Sequence, residues 1–430
     1  METGKILPVS ILLLDICIIT MKSDFNFSRF GDDHYLITNY AGRYAFLSTH
    51  DFESFCNGYL PAGAESVLKA NLFYSDSDDE VFFKDYAKAI RSYRDYLFMG
   101  TGLHIFVLTS ACNLKCVYCQ ASTCDNGKMM TEIVAEKSVD LALQSPNEYL
   151  SFEFQGGEPL LNFEVLKHIV LYTEANKGDK TVEFNLVSNL SLLTDEIIDF
   201  LKEHCVSVST SLDGNQQIQN HNRSMPSADS YQIWKSQTLR YKERTGNRIG
   251  AIQTTTNYAL PFYKELVDAY IDNGFDRVFI RPLTPLGYAA TRWDAIGYTP
   301  DEFLTFYSNA FDYILQKNRE GFKLAEGHAV IFLNKIINHC AGNYTELRSP
   351  CGAGYGGLQY VAGGIPHVPE SIIHGLDHCG RGIVRVQGAG PCRRIFLRRQ
   401  CCLQFLVFSR PFPLIRVKGV SKAAPPHIAR

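Results

Sequence analysis

Cys112, Cys116 and Cys119 fall within the eight residues Cys-Asn-Leu-Lys-Cys-Val-Tyr-Cys, directly after the apolar run His104–Leu108. The number three carries the information. A closed structural zinc site needs four ligands and a disulfide needs two. Thiolates suit soft metals, and iron–sulfur clusters are a common home for them. Three thiolates on a four-iron cluster leave one iron open, where a small molecule can bind and be reduced. Tyr118, just before the last cysteine, offers a flat ring for packing on a purine. Taken alone, the triplet also allows a zinc site completed by Cys124 or a histidine, or buried structural cysteines.

Three further groups of residues could do chemistry. Gln155-Gly156-Gly157-Glu158-Pro159 follows the strand-like Ser151–Phe154. Its glycines let backbone groups approach a ligand closely, and the Glu158 carboxylate could help hold an ammonium. Ser188 and Asn189 end the next apolar run, and short hydroxyl and amide groups there suit ribose hydroxyls. Ser209-Thr-Ser211-Leu-Asp213-Gly214 precedes His221-Asn-Arg223. Arg223 could pair bidentately with a carboxylate.

The elements that must carry these groups alternate from about residue 101 to 340. Strands are expected at His104–Leu108, Tyr149–Phe154, Val182–Val187, Val206–Ser211, Gly250–Thr256 and Arg277–Arg281. Between them, Asn162 is placed to cap one helix, Thr194 another and Thr299 a third. Six strands with intervening helices imply parallel pairing, right-handed crossovers and an α/β partial barrel, with its site at the C-terminal strand ends. Residues 24–100 read as a separate small module of winged-helix type. A hairpin pairs Tyr35–Thr38 with Tyr44–Leu47, and helices follow from Ser48 and Thr49.

The composition suits a soluble enzyme-sized protein: 430 residues, 46% apolar, 20% charged, net charge −3. It excludes collagenous and disordered classes. Thirteen cysteines are too dilute for a disulfide scaffold and point to a reducing compartment. Residues 1–23 contain the apolar run Ile6–Leu14, which Asp15 interrupts. The run is too short to span a bilayer, and Met21 opens the soluble-looking sequence. The reading is therefore an over-extended start on a cytoplasmic protein, without membrane or nucleic-acid partners.

Taken together, the four groups resemble the radical S-adenosylmethionine (SAM) superfamily over about residues 100–285. The resemblance implies a partial (β/α)6 barrel whose Cys112, Cys116 and Cys119 hold a 4Fe-4S cluster. It further implies that SAM is gripped by Tyr118, Gln155, Gly156, Gly157, Glu158, Ser188, Asn189, Ser211, Asp213 and Arg223. One electron would cleave the sulfonium to methionine and a 5′-deoxyadenosyl radical, which takes a substrate hydrogen. Ser-Leu-Asp-Gly with Asn220-His-Asn-Arg223 is similar to the peptide-modifying branch, which includes anaerobic sulfatase maturases. Phe25–Gly31, Tyr35–Gly42, Arg281–Gly287 and Tyr344–Arg348 are similar to His-Xaa-Ser system radical SAM maturases. That implies a peptide or protein substrate, with a leader recognised by residues 24–100, and an electron donor such as flavodoxin or ferredoxin.

The branch often carries a C-terminal SPASM extension with auxiliary 4Fe-4S clusters, and residues 341–360, with Cys351, look like its opening. The pattern then stops. Cys379, Cys392, Cys401 and Cys402 match none of its spacings, so this chain lacks the ligand pattern for auxiliary clusters. The charge changes at the same place. Residues 361–430 hold 9 Arg and 2 Lys against Glu370 and Asp377, whereas the rest of the chain carries a net −12. A shifted reading frame near Tyr360 accounts for both failures and for an irregular basic tail. Two rival readings follow: a non-catalytic peptide-binding protein with a degenerate cluster domain, and a zinc-bound nucleic-acid-binding protein using the tail. Translating the coding DNA past codon 360 in the other frames is expected to return an acidic, cysteine-rich continuation; its absence would refute the frame shift.

Overall fold

The computed structural model describes residues 23–121, 127–339, 356–361 and 366–367. The expectations for residues 1–22, for Cys124 and Cys351 and for the tail beyond 367 lie outside the described residues. Three strands open the chain: β1 (Phe25–Phe30), β2 (His34–Asn39) and β3 (Tyr44–Ser48). Next come β4 (Leu103–Val107), the two-residue β5 (Lys115–Cys116), β6 (Tyr149–Gln155), β7 (Thr181–Val187) and β8 (Ser207–Ser211). They are followed by β9 (Arg223–Ser224), β10 (Gly250–Thr254), β11 (Arg277–Val278), β12 (Ile280–Arg281), β13 (Ala325–Glu326), β14 (Gly357–Tyr360) and β15 (Pro366–His367).

The first three strands form an antiparallel sheet in chain order, followed by helices at 49–56, 65–70 and 79–93. Asn39 makes the β2–β3 turn, its Oδ1 accepting from the N–H groups of Ala41 at 3.1 Å and Arg43 at 3.2 Å. Ser48 caps the first helix by accepting from Asp51 N–H at 3.1 Å. Ile37, Leu47, Phe52, Phe55, Leu68 and Phe73 close a separate small core. The hairpin matches expectation, while β1 was not foreseen as a strand.

The large sheet runs β12-β10-β8-β7-β6-β4-β14-β15. Its first seven strands are parallel and β15 is antiparallel to β14. All six expected barrel strands are present within one or two residues, except that the last is broken. At Phe279 it changes partners, so β11 pairs with β13 while β12 pairs with β10. The seventh parallel strand, β14, adds to the free side of β4. It comes from the segment that the sequence placed in a C-terminal extension.

Along β6, Leu150, Phe152 and Phe154 point out into the main core, with Val139, Ile169, Val170 and Ile198 from the surrounding helices. Ser151, Glu153 and Gln155 therefore face the other way, into the concave side. Seven parallel strands with helices between successive barrel strands have the order of a partial barrel, whose concave side these residues line. Among the described residues, no helix is long and apolar enough to cross a membrane.

The expected Asn162 cap is not made: its side chain forms no capping hydrogen bond. Its Nδ2 instead donates to the carbonyls of Leu108 and Met130, each at 3.0 Å. Two buried carbonyls where the cysteine loop leaves and rejoins the barrel, the first already accepting from Met130 N–H, take the amide that a cap would have used. At the other side, β14 is locked to β4 by buried side chains. His104 Nδ1 and Tyr360 Oη are 2.8 Å apart, and the imidazole also contacts Thr101 O at 3.2 Å. Burial lowers the His104 pKa to about 4, so the folded ring stays neutral where the unfolded one takes a proton. That contribution to stability is full above about pH 6.5 and is lost as the pH falls toward 4. Urea midpoints are expected to drop across that window by an amount that His104→Gln abolishes.

Candidate functional site

The cysteine loop leaves β4 and returns beside it. Met130 N–H donates to Leu108 O at 2.8 Å and Ser110 N–H to Lys128 O at 3.1 Å, closing the loop at its base. Within it, Leu114 N–H points at Cys112 Sγ, 3.4 Å away. Cys116 pairs with Arg223 in the short antiparallel β5–β9 ladder. Cys119 is pinned from the far side, where its carbonyl accepts from Tyr288 N–H at 2.9 Å. Gly287 makes this approach possible, because a Cβ there would sit 2.2 Å from Gln120 O, and its φ of +55° favours glycine.

The Gly-Gly-Glu turn is stapled to the same loop. Gly157 N–H donates to Thr109 O and Glu158 N–H to Ala111 O, both at 2.8 Å. The Glu158 carboxylate is fully buried. Its Oε1 accepts from Leu160 N–H at 3.1 Å and Ser188 Oγ at 2.8 Å, and its Oε2 accepts from Asn189 N–H at 2.8 Å. Burial pushes this carboxyl up to about 7 against the pull of those three donors. The group that the sequence offered to a ligand ammonium is thus a brace inside the protein. It joins the end of β6 to the end of β7. Asn189 extends the brace by donating from Nδ2 to Asn113 Oδ1 at 2.9 Å, and Asn113 donates to Ser191 Oγ at 2.7 Å.

Ser211 lies at the end of β8 and lines a small cavity with Leu114, Asn189, Arg223 and Trp234. Asp213 lies deeper, with no exposed surface. Its Oδ2 accepts from Tyr118 Oη at 2.7 Å and Asn222 Nδ2 at 3.1 Å, while its Oδ1 accepts from Thr254 N–H at 3.2 Å. Arg223 Nε approaches Asp213 Oδ1 to 3.3 Å, an ion pair without hydrogen-bond geometry. The guanidinium sits over the Tyr118 ring, 5.2 Å from its centroid. Burial opposes the Arg223 charge, but Asp213 outweighs it and holds the group above its ordinary range. Tyr118, expected to face a purine, is itself buried, and burial raises its phenol well above the usual value.

All ten SAM-site candidates and the three cysteines therefore gather at the C-terminal ends of β4, β6, β7 and β8. Gln155 is turned inward, donating from Nε2 to Glu153. Sequence reasoning missed Asn113, Ser191 and Asn222, which join the motifs to one another, and the lumen residues Glu153, Asn185 and Arg281. For the lumen a signal existed. Strands of a parallel sheet are usually apolar on both faces, whereas Ser151-Phe-Glu-Phe-Gln155 alternates.

Residues 106–248 match the family model described as "Radical SAM superfamily". The chain carries a radical SAM domain. It is homologous to a cysteine-type anaerobic sulfatase-maturating enzyme of Clostridium perfringens, 27% identical over 256 residues, which cover 55% of this chain and 67% of that one. An uncharacterized protein of Methanocaldococcus jannaschii is 29% identical over 188 residues, covering 42% of this chain and 62% of the relative. The chain thus spans under two thirds of that relative's length. The solved structure "Native anSMEcpe with bound AdoMet" aligns with a TM-score of 0.53 at 19% identity, covering 62% of this chain and 75% of that one. The same enzyme with AdoMet and a "Kp18Cys peptide" aligns at 0.54 and 19%, covering 63% and 74%. These likenesses carry the fold.

The radical SAM domain implies a 4Fe-4S cluster and SAM. The donor set fits a cluster: three thiols on one loop, with glycine turns allowing close backbone approach. Among the described residues, no three His, Cys, Asp or Glu side chains are arranged to hold one metal ion. A cluster makes a different demand, since each thiolate binds its own iron and the sulfurs stand further apart. Burial raises the Cys112 thiol and pushes Cys116 up to about 12. Both stay protonated at neutral pH until metal displaces the proton. Gly157 is the test of the turn–loop staple, because a Cβ there would fall 2.0 Å from Ala111 O. Gly157→Ala is expected to cut iron incorporation on reconstitution at least several-fold, measured as iron per chain, while far-UV circular dichroism is retained.

Proposed function

We propose that this chain is a radical SAM maturase that abstracts hydrogen from a ribosomally made peptide or protein. The observation that carries the reading is the stapling of the cysteine loop to two successive strand-end motifs through Glu158 and Asn189, and to a third through Tyr118 and Asp213. Cys112, Cys116 and Cys119 would hold the 4Fe-4S cluster, leaving one iron for the amino and carboxylate groups of SAM. The chemistry supplied by the bound pair is one-electron cleavage of the sulfonium, with transfer of a substrate hydrogen atom to the 5′-deoxyadenosyl group. The chain's own residues order and shield that site. Backbone groups of Gly156 and Gly157 would line the methionine end, while Ser188, Asn189 and Ser211 offer short polar groups for the ribose.

The homology to sulfatase maturases supports a peptide or protein substrate. So does the separate module formed by β1–β3 and its helices, which would recognise a leader segment. Its edge strand β1 exposes Phe27 and Phe30, apolar surface suited to a peptide. The polar lumen around Ser151, Glu153, Asn185 and Arg281 is the space where the modified residue would enter. A flavodoxin- or ferredoxin-like donor would supply the electron, and auxiliary clusters are not part of the proposal.

Anaerobic reconstitution with iron, sulfide, dithionite and SAM tests it. About four irons per chain and measurable 5′-deoxyadenosine are expected, with both lost in Cys112→Ala/Cys116→Ala/Cys119→Ala. Stoichiometric zinc without iron, or an intact cluster that forms no 5′-deoxyadenosine, would refute the reading.

A further inference from the structure

The acids buried at the strand ends find their partners inside the protein. Glu158 accepts from three donors. Asp213 accepts from Tyr118, Asn222 and the Thr254 N–H, and holds Arg223 at 3.3 Å. Glu153 differs from both. It lies half-buried in the interior of β6, on the concave face, and accepts from Gln155 Nε2. Among the described residues it makes no second hydrogen bond and no ion pair. Burial raises its pKa, against the Gln155 hydrogen bond and the more distant charge of Arg281. A carboxylate withdrawn from water normally has its oxygens satisfied, and too few donors is a cost.

The neighbouring strands define what could supply the missing donors. Parallel register sets Ile105 of β4 on one flank of Glu153 and Asn185 of β7 on the other, all on the same face. The Asn185 amide is turned to Ser151, donating to its Oγ at 3.0 Å. Arg281 is on the edge strand β12, four places from β6 in sheet order. Nearer the strand ends, Val107 and Val187 continue the concave face, since Phe106, Leu108 and Leu186 beside them point into the outer core. Apolar side chains thus lead down to a carboxylate that lacks donors. Lysine and arginine match this surface, with an aliphatic stem and a cationic head that only donates.

We propose that Glu153 is a specificity-determining residue that binds the ammonium or guanidinium of a lysine or arginine in the peptide substrate. The inference rests on the reading of this chain as a peptide maturase, and it names the residue type that the lumen takes. Glu153 lies two residues, about 7 Å, below the end of β6 at Gln155. The stem of a basic residue spans that depth, so its C–H groups run past Val107 and Val187 toward the strand ends. A neutral side chain leaves the carboxylate uncompensated, and an acidic one is repelled.

The test is peptide binding to the full chain reconstituted with its cluster and kept oxidised, so that no turnover occurs. The probes are blocked pentapeptides of glycine whose central residue is lysine, arginine, Nε-acetyllysine or glutamate, titrated by NMR. The lysine and arginine peptides are expected to bind at least about tenfold more tightly than the acetyllysine peptide, the gain of a charge-assisted hydrogen bond. Glu153→Gln keeps an acceptor for Gln155 and is expected to retain the melting temperature while losing that preference. Glu183→Gln removes the other acid of the β6–β7 concave face, one step diagonally from Glu153, and is expected to keep most of it. A lysine peptide bound no more tightly than its acetylated form overturns the proposal, and that comparison needs no variant. So does a preference that survives Glu153→Gln, or one lost equally in Glu183→Gln. The maturase reading fails separately, if the unaltered chain with SAM and dithionite forms no 5′-deoxyadenosine.

Discussion

The site depends on one buried carboxylate. Glu158 has no exposed surface, yet it accepts from Leu160, Ser188 and Asn189 while its own N–H holds Ala111. Burying a carboxyl is costly unless its oxygens are satisfied, and here the donors come from separate segments that must all be in place. The cysteine loop, the glycine turn and the end of β7 are thus ordered together or not at all. Burial raises this carboxyl to about 7, while the three donors aimed at its oxygens favour the charged form.

Around that brace the curved sheet separates two environments. Its convex face is an ordinary aromatic and aliphatic core, built from Phe106, Phe152, Phe154, Phe184 and the helices over them. Its concave face carries serine, asparagine, glutamine and the charged Glu153 and Arg281. Period-two alternation along β6 assigns each residue to one side or the other. The same seven residues thereby face the apolar core outward and a polar concave side inward.

Much of this was legible in the sequence, because the signals were local. Apolar runs bounded by glycine turns marked the six barrel strands, and the spacing of cysteines, Gly-Gly-Glu and Ser-Asn placed the site at their ends. The rest was decided at a distance. Gly357-Leu-Gln-Tyr360 has no strand signature of its own and becomes one only because β4 offers an open side. The Asn162 cap reading was locally sound but lost to two carbonyls, one of them 54 residues away. In the sequence Asp213 ends the fourth barrel strand and Arg223 follows ten residues later. Their mutual pairing beneath Tyr118 is a property of the folded loop, and no spacing rule encodes it.

The strand β14 also bears on how the molecule is made. Its partner β4 is about 250 residues earlier in the chain, so during synthesis β4 emerges long before the strand that covers its free side. Until then the barrel presents a row of unpaired backbone groups next to the cysteine loop, a surface open to mispairing with other chains. Closure by Tyr360 against His104 therefore comes late. A ribosome that stalls before codon 360 leaves the cysteine loop on an unfinished edge.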